Sequence, residues 1–242
     1  WQAINSFAGS DLRFFENFQD YYSPSRRLED TTNYRSKSSI VEVGNLLMSG
    51  LGSPAKTSTS KNGKIIIAEL SSFQPSPREQ KEFSGDALTP SVLRIISRCL
   101  EAGQNIALLS RKNSLPWYVD VGGGDLSKFL DFVREYLPEQ DRRRVSISTA
   151  HKYKGLQQDA VIILDAVERC YPLIHPDIVF TQVFGDTPEK VAEEERRLFY
   201  VALTRAVSSL YVITENKSRS PFLDQIVKSF DQIFDNDCIT IG

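Results

Sequence analysis

Short apolar runs rich in β-branched residues recur along this chain of 242 residues. Each run is continuously apolar instead of alternating with polar positions, which is typical of strands that are buried on both faces of a parallel sheet. The pattern therefore predicts five buried strands. They are expected at residues 64–70, 105–111, 144–150, 159–166 and 208–214.

Amphipathic stretches of helical period separate these runs. One covers residues 91–103 and ends at a glycine, one opens at Asp125 and closes at Pro138, and one opens at Pro188 and runs to residue 206. Proline is favoured in the first helical turn and glycine just past the last, so these positions mark helix boundaries. Strands that alternate with helices predict a three-layer α/β fold with a mostly parallel sheet.

Two polar stretches interrupt the alternation. The small, polar composition of residues 52–63 predicts a flexible loop, while the proline and charge content of residues 71–90 leaves open whether that connection is ordered. The first part of the chain has a helical and irregular pattern. We therefore expect a mostly helical lead-in over residues 1–50 and an α/β lobe over residues 51–242, together forming one structural unit.

Composition narrows the class of protein. With 40% hydrophobic and 25% charged residues and a net charge of −2, the chain is expected to be soluble and globular, and any contact with nucleic acid must come from local basic patches. Neither histidine, His151 or His175, has a second histidine or a cysteine at ligand spacing, so no metal site is predicted. No apolar run is long enough for a bilayer and no signal peptide is recognisable, so we expect a cytoplasmic protein without a membrane partner.

One arginine is predicted to face a packed surface. In the segment EEERRLFYVALTRA, helical spacing puts Arg205 on the same face as Leu198, Val201 and Ala202. Because an unpaired buried charge is costly, this guanidinium needs acceptors or an anion. It either donates hydrogen bonds to the carbonyls in the last turn of its helix, where the helix dipole favours a cation, or binds a phosphate through its planar fork. Spacing alone favours the first.

A second arginine stands at the start of an amphipathic stretch over residues 31–48. Arg35 follows Tyr34, and Ser36 is expected to cap the helix, whose N-terminus would itself attract an anion. Tyr34 could stack on a base. Taken alone, such residues are more often a packing aromatic and a surface charge.

A basic loop joins the third and fourth predicted strands. His151 and Lys152 follow the carboxyl end of the first of these strands, where open α/β sheets bind ligands, and Gly155 permits a positive φ. A solvated basic turn explains the same residues equally well.

The first eleven residues contain further candidates. Gln2 could orient a water molecule or a phosphate oxygen, and Phe7 could stack on a base of single-stranded nucleic acid. Without further context, the aromatic residue would be taken as part of the core.

The order of these segments is more specific than any one of them. WQAINSFAGSD, NYRSKSSIVEVGNLL, STAHKYKGLQQDAVIILD and EEERRLFYVALTRA resemble, in this order, motifs III, IV, V and VI of UvrD/Rep-type superfamily 1 DNA helicases, nearest the helicase IV branch. The resemblance extends from residue 1 to about residue 225, and is weakest over residues 50–100. It implies a RecA-like (P-loop NTPase-like) domain that forms the second motor lobe of a helicase.

The resemblance implies a role for each matching residue. Arg205 and Arg35 would be arginine fingers on the γ-phosphate of ATP, which Gln2 would sense. The positions expected to face the nucleotide are Tyr34, Gly155 and Gln157. The positions expected to face single-stranded DNA are Phe7, Thr149, His151 and Lys152.

The family also implies partners outside this chain. ATP and Mg²⁺ would be held mainly by an N-terminal RecA-like lobe of the same protein, and closure of the two lobes would move single-stranded DNA in the 3′-to-5′ direction. The chain contains no G-x-x-x-x-G-K-[ST] phosphate loop. We therefore expect a fragment of an ATP-hydrolysing DNA helicase that is inactive alone.

Two departures from the family pattern leave alternatives open. Asn5 stands where an aromatic is usual, and Gln157 stands where a carboxylate that holds the ribose is common, so nucleotide selectivity is an open question. The runner-up hypothesis is a helicase-like binding module without ATPase activity, a platform for proteins or nucleic acid in transcription or DNA repair. An α/β domain for a small phosphorylated ligand is a third. The joint presence of Arg35, Arg205 and Gln2 favours the motor.

Overall fold

A parallel sheet forms the centre of the protein in the computed structural model, which describes residues 1–2, 4, 17–26, 30–116, 124–174 and 187–230. The strands are β1 (Thr32–Asn33), β2 (Lys56–Thr57), β3 (Lys64–Glu69), β4 (Ile106–Ser110), β5 (Val145–Thr149), β6 (Gln158–Ile163) and β7 (Ala206–Thr214). Five of them form one sheet in the order β3-β7-β6-β4-β5, and every neighbouring pair is parallel. The five predicted strands are thus confirmed.

Helices cover both faces of this sheet. They are α1 (Phe18–Tyr21), α2 (Ser38–Leu47), α3 (Pro77–Glu82), α4 (Leu88–Glu101), α5 (Leu126–Glu135), α6 (Pro188–Leu203) and α7 (Pro221–Phe230). Short 3₁₀ turns lie at Leu70–Ser72, Glu139–Arg144 and Asn216–Ser218.

Side chains from each strand alternate between two separate cores. On β4, Ala107 and Leu109 enter the core that contains α2, α6 and α7, whereas Ile106 and Leu108 enter the core that contains α4 and α5. Because both faces of the strand are buried, its sequence is continuously apolar, as the pattern predicts. The predicted three-layer α/β fold is confirmed.

Local capping explains where the helices begin. The Asp125 carboxylate accepts the backbone N–H of Ser127 at the start of α5, as expected. Helix α4 begins at Leu88 and not at residue 91, because the Asp86 carboxylate accepts two backbone N–H groups there. Pro90 then lies in the first turn, where its missing N–H costs nothing.

The two polar stretches contain short elements. Residues 52–63 include β2, which pairs with β1, so the predicted loop contains a short strand. Residues 71–90 include α3, which a capping box between Ser76 and Glu79 starts. In the described part of the chain, no helix combines the length and the apolar character needed to cross a membrane.

Helix α2 joins the lead-in to the lobe. Its residues Ile40, Val43 and Leu47 are buried in the same core as β6 and β7. The division at residue 50 stays a prediction.

Candidate nucleotide-facing site

A short segment before α2 is fixed to the start of β7. The Asn33 side chain accepts the backbone N–H groups of Arg35 and Ser36, both at 2.9 Å. The Ser36 hydroxyl donates to the carbonyl of Ala206 at 2.7 Å. The prediction that Ser36 caps α2 is therefore wrong, and its hydroxyl instead brings Arg35 next to the end of α6.

Arg205 is buried and incompletely satisfied. It follows the end of α6 at Leu203, slightly beyond the predicted last turn, and is 1% exposed. Its Nε donates to the carbonyl of Val201 at 3.0 Å and its Nη1 to the carbonyl of Leu156 at 3.2 Å, while its Nη2 is buried without a hydrogen-bond partner. The guanidinium thus contacts a C-terminal helix carbonyl, as the first interpretation predicts, and still has one donor left over.

The guanidinium of Arg35 lies beside this group. Its Nη1 donates to the carbonyl of Thr204 at 3.2 Å, and its Nε donates to Oε1 of Gln157 at 2.8 Å. Burial, and next the charge of Arg35, lower the pKa of Arg205 to about 10, so Arg205 stays charged at neutral pH.

All four hydrogen-bond acceptors of these two arginines are neutral oxygens. Within the described ranges, neither Arg35 nor Arg205 forms an ion pair with a carboxylate. Two adjacent cations with neutral acceptors and an unused buried donor form a site that is complementary to an anion.

Two other residues predicted to face the nucleotide, Tyr34 and Gln157, adjoin Arg35. Tyr34 precedes Arg35 and is 76% exposed, and Gln157 is exposed apart from its contact with Arg35. Gly155 has φ +91°, which confirms the predicted positive φ. Gln2 is exposed and follows Trp1, whose ring packs edge-on against Tyr200 of α6 with centroids 5.3 Å apart.

Three of the residues predicted to face DNA, Thr149, His151 and Lys152, lie at or just after the carboxyl end of β5, whereas the arginine site lies at the amino ends of the strands. Thr149 is in register with Ser110, and Gln157 stands three residues before Ala160, which is in register with Ile106, so about 23 Å separates them along the strands at ~3.3 Å per residue. Lys152 is exposed; Thr149 is buried and accepts the backbone N–H of Lys152. His151 is half-buried, and burial lowers its pKa. Phe7 and Asn5 lie outside the described residues.

A buried ionic cluster at the carboxyl ends of the strands was not anticipated from the sequence. Arg111 donates from Nε and Nη2 to the two carboxylate oxygens of Glu195, at 2.8 and 2.6 Å. Asp165 accepts the backbone N–H of Arg111 and the hydroxyl of Ser110, each at 2.8 Å, and burial raises its pKa to about 6. The available signal was Glu195 itself, which stands three positions before Leu198 on the buried face of α6.

A glycine allows α2 to approach the arginine site. A Cβ added at Gly44 would lie 2.9 Å from Cε2 of Tyr200 and 3.3 Å from Cγ2 of Thr204, whose carbonyl holds Arg35. Such distances are too short for an ordinary contact, so a side chain here must displace the end of α6.

We expect Gly44→Ala to lower the free energy of unfolding. Overpacking a core costs about 1–3 kcal/mol, which exceeds the ~1 kcal/mol that alanine gains in helix propensity. Urea unfolding followed by circular dichroism measures the difference. Glu42→Ala, at an exposed position of the same helix, is the control and is expected to change stability by less than about 0.5 kcal/mol. Equal stability of the two variants would contradict the close packing.

The described part of the chain offers no metal-binding cluster. No three His, Cys, Asp or Glu residues within it are grouped so that they could hold an ion.

Comparison with known proteins agrees with the motif resemblance. Residues 126–217 match the UvrD-like helicase C-terminal domain family. DNA helicase IV of Escherichia coli is 24% identical over 96% of this chain and 31% of its own length, and a probable DNA helicase of Mycoplasma pneumoniae is 26% identical over 88% of this chain and 36% of its own length. The chain thus spans about a third of the length of these curated relatives.

A solved structure is also similar. The C-terminal domain of a possible DNA helicase from Lactobacillus plantarum superposes with a TM-score of 0.47 and 15% identity, covering 86% of this chain and 98% of that one. Placement in the helicase IV branch stays a prediction at 24% identity. The domain match and the helicase relatives support the interpretation of this chain as a C-terminal lobe of a UvrD-like helicase.

Proposed function

We propose that this chain is the second motor lobe of an ATP-dependent 3′-to-5′ DNA helicase or translocase, in which Arg35 and Arg205 stabilise negative charge on the γ-phosphate of ATP. One observation carries the proposal. Two arginines from opposite ends of the chain lie together, held by neutral acceptors, and one keeps a buried donor without a partner.

The chemistry of phosphoryl transfer fits this arrangement. Charge spreads over the oxygens of the transferred group, and an arginine that is already oriented stabilises it without a reorganisation cost. Burial of Arg205 strengthens such an interaction, because the effective dielectric constant is lower than in water. The backbone carbonyls of Val201 and Leu156 fix the guanidinium, which leaves Nη2 for a phosphate oxygen.

The surrounding residues complete a nucleotide-facing surface. The exposed ring of Tyr34 is available to stack on adenine or its ribose, and the loop at Gly155 and Gln157 lies against the same arginines. Gln2 would sense the γ-phosphate, since Trp1 holds the start of the chain against α6. ATP supplies the anionic phosphate, and Mg²⁺ would be bound mainly by an N-terminal RecA-like lobe.

The carboxyl ends of the strands form the proposed DNA side. Thr149, His151 and Lys152 would contact the backbone of single-stranded DNA, and Phe7 would stack on a base. The loop of residues 150–157 runs from the carboxyl end of β5 to the arginine site at the amino end of β6, and its Tyr153 is buried in the core between them. We expect this packed loop to couple the position of the DNA contacts to that of the arginines.

ATP hydrolysis by the full-length protein and by this chain alone tests the proposal. The full-length protein is expected to hydrolyse ATP faster when single-stranded DNA is added. The chain alone should show no hydrolysis above background, because its arginines need a phosphate that a second lobe holds. Measurement of phosphate release with and without DNA distinguishes the cases. Hydrolysis by the chain alone would contradict the proposal, and a full-length protein that binds DNA without hydrolysing ATP would favour the binding platform.

A further inference from the structure

The side chain of Gln157 bonds directly to one of the two arginines. Its Oε1 accepts the Nε–H of Arg35 at 2.8 Å, while the carbonyl of Thr204 accepts from Nη1 of the same guanidinium at 3.2 Å. Two acceptors on different edges of a planar group restrict its rotation. The orientation of Arg35 therefore depends on Gln157.

The backbone on both sides of Gln157 is bonded to the other arginine. Nη1 of Arg205 donates to the carbonyl of Leu156 at 3.2 Å, and the N–H of Gln158 donates to the carbonyl of Arg205 at 3.0 Å. Arg205 thus fixes the loop residues on either side of Gln157, and Gln157 fixes Arg35. Both arginines are therefore bonded to the same short segment, residues 156–158, Arg35 through a side chain and Arg205 through the backbone.

The chemistry of an amide suits this position. An amide oxygen accepts a hydrogen bond without carrying charge, so it orients Arg35 and leaves its positive charge uncompensated. A carboxylate, which is common at this position in the family pattern, offers the same kind of acceptor oxygen, so the bond to Arg35 needs an acceptor and not an amide in particular.

We infer that Gln157 is a positioning residue that orients Arg35 toward the nucleotide phosphate, acting through the guanidinium and not on the ribose. The inference rests on the proposed function. The contact that the structure shows for Oε1 is with Arg35. Its second lone pair and the Nε2 donors are the groups that a ribose hydroxyl would meet, so ATP is compared with its deoxy analogues.

Steady-state ATP hydrolysis by full-length variants tests this role. Gln157→Leu keeps the size of the side chain and removes the acceptor, and we expect kcat to fall by about 10–100-fold with little change in KM, as for loss of a charge-assisted hydrogen bond. The fall should be equal for ATP, 2′-deoxy-ATP and 3′-deoxy-ATP. In an Arg35→Ala background, adding Gln157→Leu should change kcat by less than about twofold, because the two residues act as a unit.

The acceptor oxygen is tested separately from the size of the side chain. Gln157→Glu keeps an acceptor for the Nε–H of Arg35, so its kcat should stay well above that of Gln157→Leu. Gln158→Leu is the matched control, since the Gln158 side chain accepts a long bond from the backbone N–H of its neighbour Asp159, at 3.3 Å, and is not the acceptor that Arg35 uses. It is expected to retain kcat within about twofold.

Three outcomes would overturn the inference. A loss of activity that is selective for ATP over the deoxy analogues would show that Gln157 contacts the ribose. Additive effects of Gln157→Leu and Arg35→Ala would show that the two residues act independently, and a loss in Gln157→Glu as large as that in Gln157→Leu would show that the acceptor oxygen is not what matters. If Arg35→Ala and Arg205→Ala both retain full kcat, the proposed function itself fails, which separates that failure from the other three.

Discussion

Replacement of Arg205 by alanine in the full-length protein is expected to lower kcat for ATP hydrolysis by about 10³–10⁵-fold, the range seen when arginine fingers are removed. The reason is the buried Nη2 donor, which has no partner in the described part of the chain and would act on charge that develops on the phosphate. An interaction made chiefly in the transition state affects kcat more than KM. Steady-state hydrolysis with saturating single-stranded DNA measures both constants.

Arg205→Lys separates charge from geometry. Lysine keeps a positive charge but lacks the planar fork, so it would not bond to the carbonyls of Val201 and Leu156 and also reach a phosphate. We expect its kcat to stay well below that of the parent. A role for charge alone would instead restore most of the activity.

Arg134→Ala is the matched control for structural damage. Arg134 also donates to two backbone carbonyls, of Arg142 at 3.1 Å and of Val145 at 2.8 Å, but it lies next to β5, which is the outermost strand on one side of the sheet. Its replacement should lower thermal stability without lowering kcat by more than about twofold. If Arg205→Ala behaves in the same way as Arg134→Ala, Arg205 is a helix-end cation and the proposed arginine finger is refuted.

The sequence predicted the sheet because burial on two faces leaves a strong local signal. In β6, residues Val161 and Ile163 enter one core and Ala160 and Ile162 enter the other, so the run has no polar position for a helix or a half-buried strand to use. Capping signals were equally local at Asp125 and Pro188. The start of α4 was misplaced because the capping carboxylate, Asp86, stands four positions before a proline, and such a spacing suggests a turn.

The candidate site could be predicted only in part. The motif order indicated Arg35 and Arg205, but their juxtaposition depends on hydrogen bonds between segments more than 100 residues apart, such as that from Arg35 to Gln157. No helical or strand period encodes a contact of that kind. The same holds for Ser36, whose position before α2 suggested a cap although its hydroxyl bonds to β7.

Helix α6 runs between the carboxyl ends and the amino ends of the strands. Glu195 lies in its middle, bonded to Arg111 at the end of β4, and Arg205 follows its C-terminus, ten positions or about 15 Å along the helix axis at ~1.5 Å per residue. Hydrogen bonds thus hold the helix at its middle and just past its C-terminus. We therefore expect the Arg111–Glu195 pair to help set the position of Arg205.

Glu195→Ala is expected to lower the free energy of unfolding by about 3 kcal/mol, because removal of one partner leaves the other charge buried without compensation. The Arg111 and Glu195 side chains are 15% and 7% exposed and meet in a bidentate pair, so water replaces little of the lost interaction. In urea, with a slope of about 2 kcal/mol/M, the midpoint should fall by roughly 1.5 M. Circular dichroism during urea titration of the chain measures it.

Two further variants decide whether the loss comes from the unpaired charge. Arg111→Met combined with Glu195→Leu should recover at least about half of the lost stability, since apolar residues of similar size avoid the desolvation cost of both ions. Glu82→Ala breaks the exposed pair with Arg78, whose side chain is 90% exposed, and should cost less than about 0.5 kcal/mol. If Glu195→Ala costs no more than Glu82→Ala, the Arg111–Glu195 pair does not hold α6, and the position of Arg205 must depend on apolar packing alone.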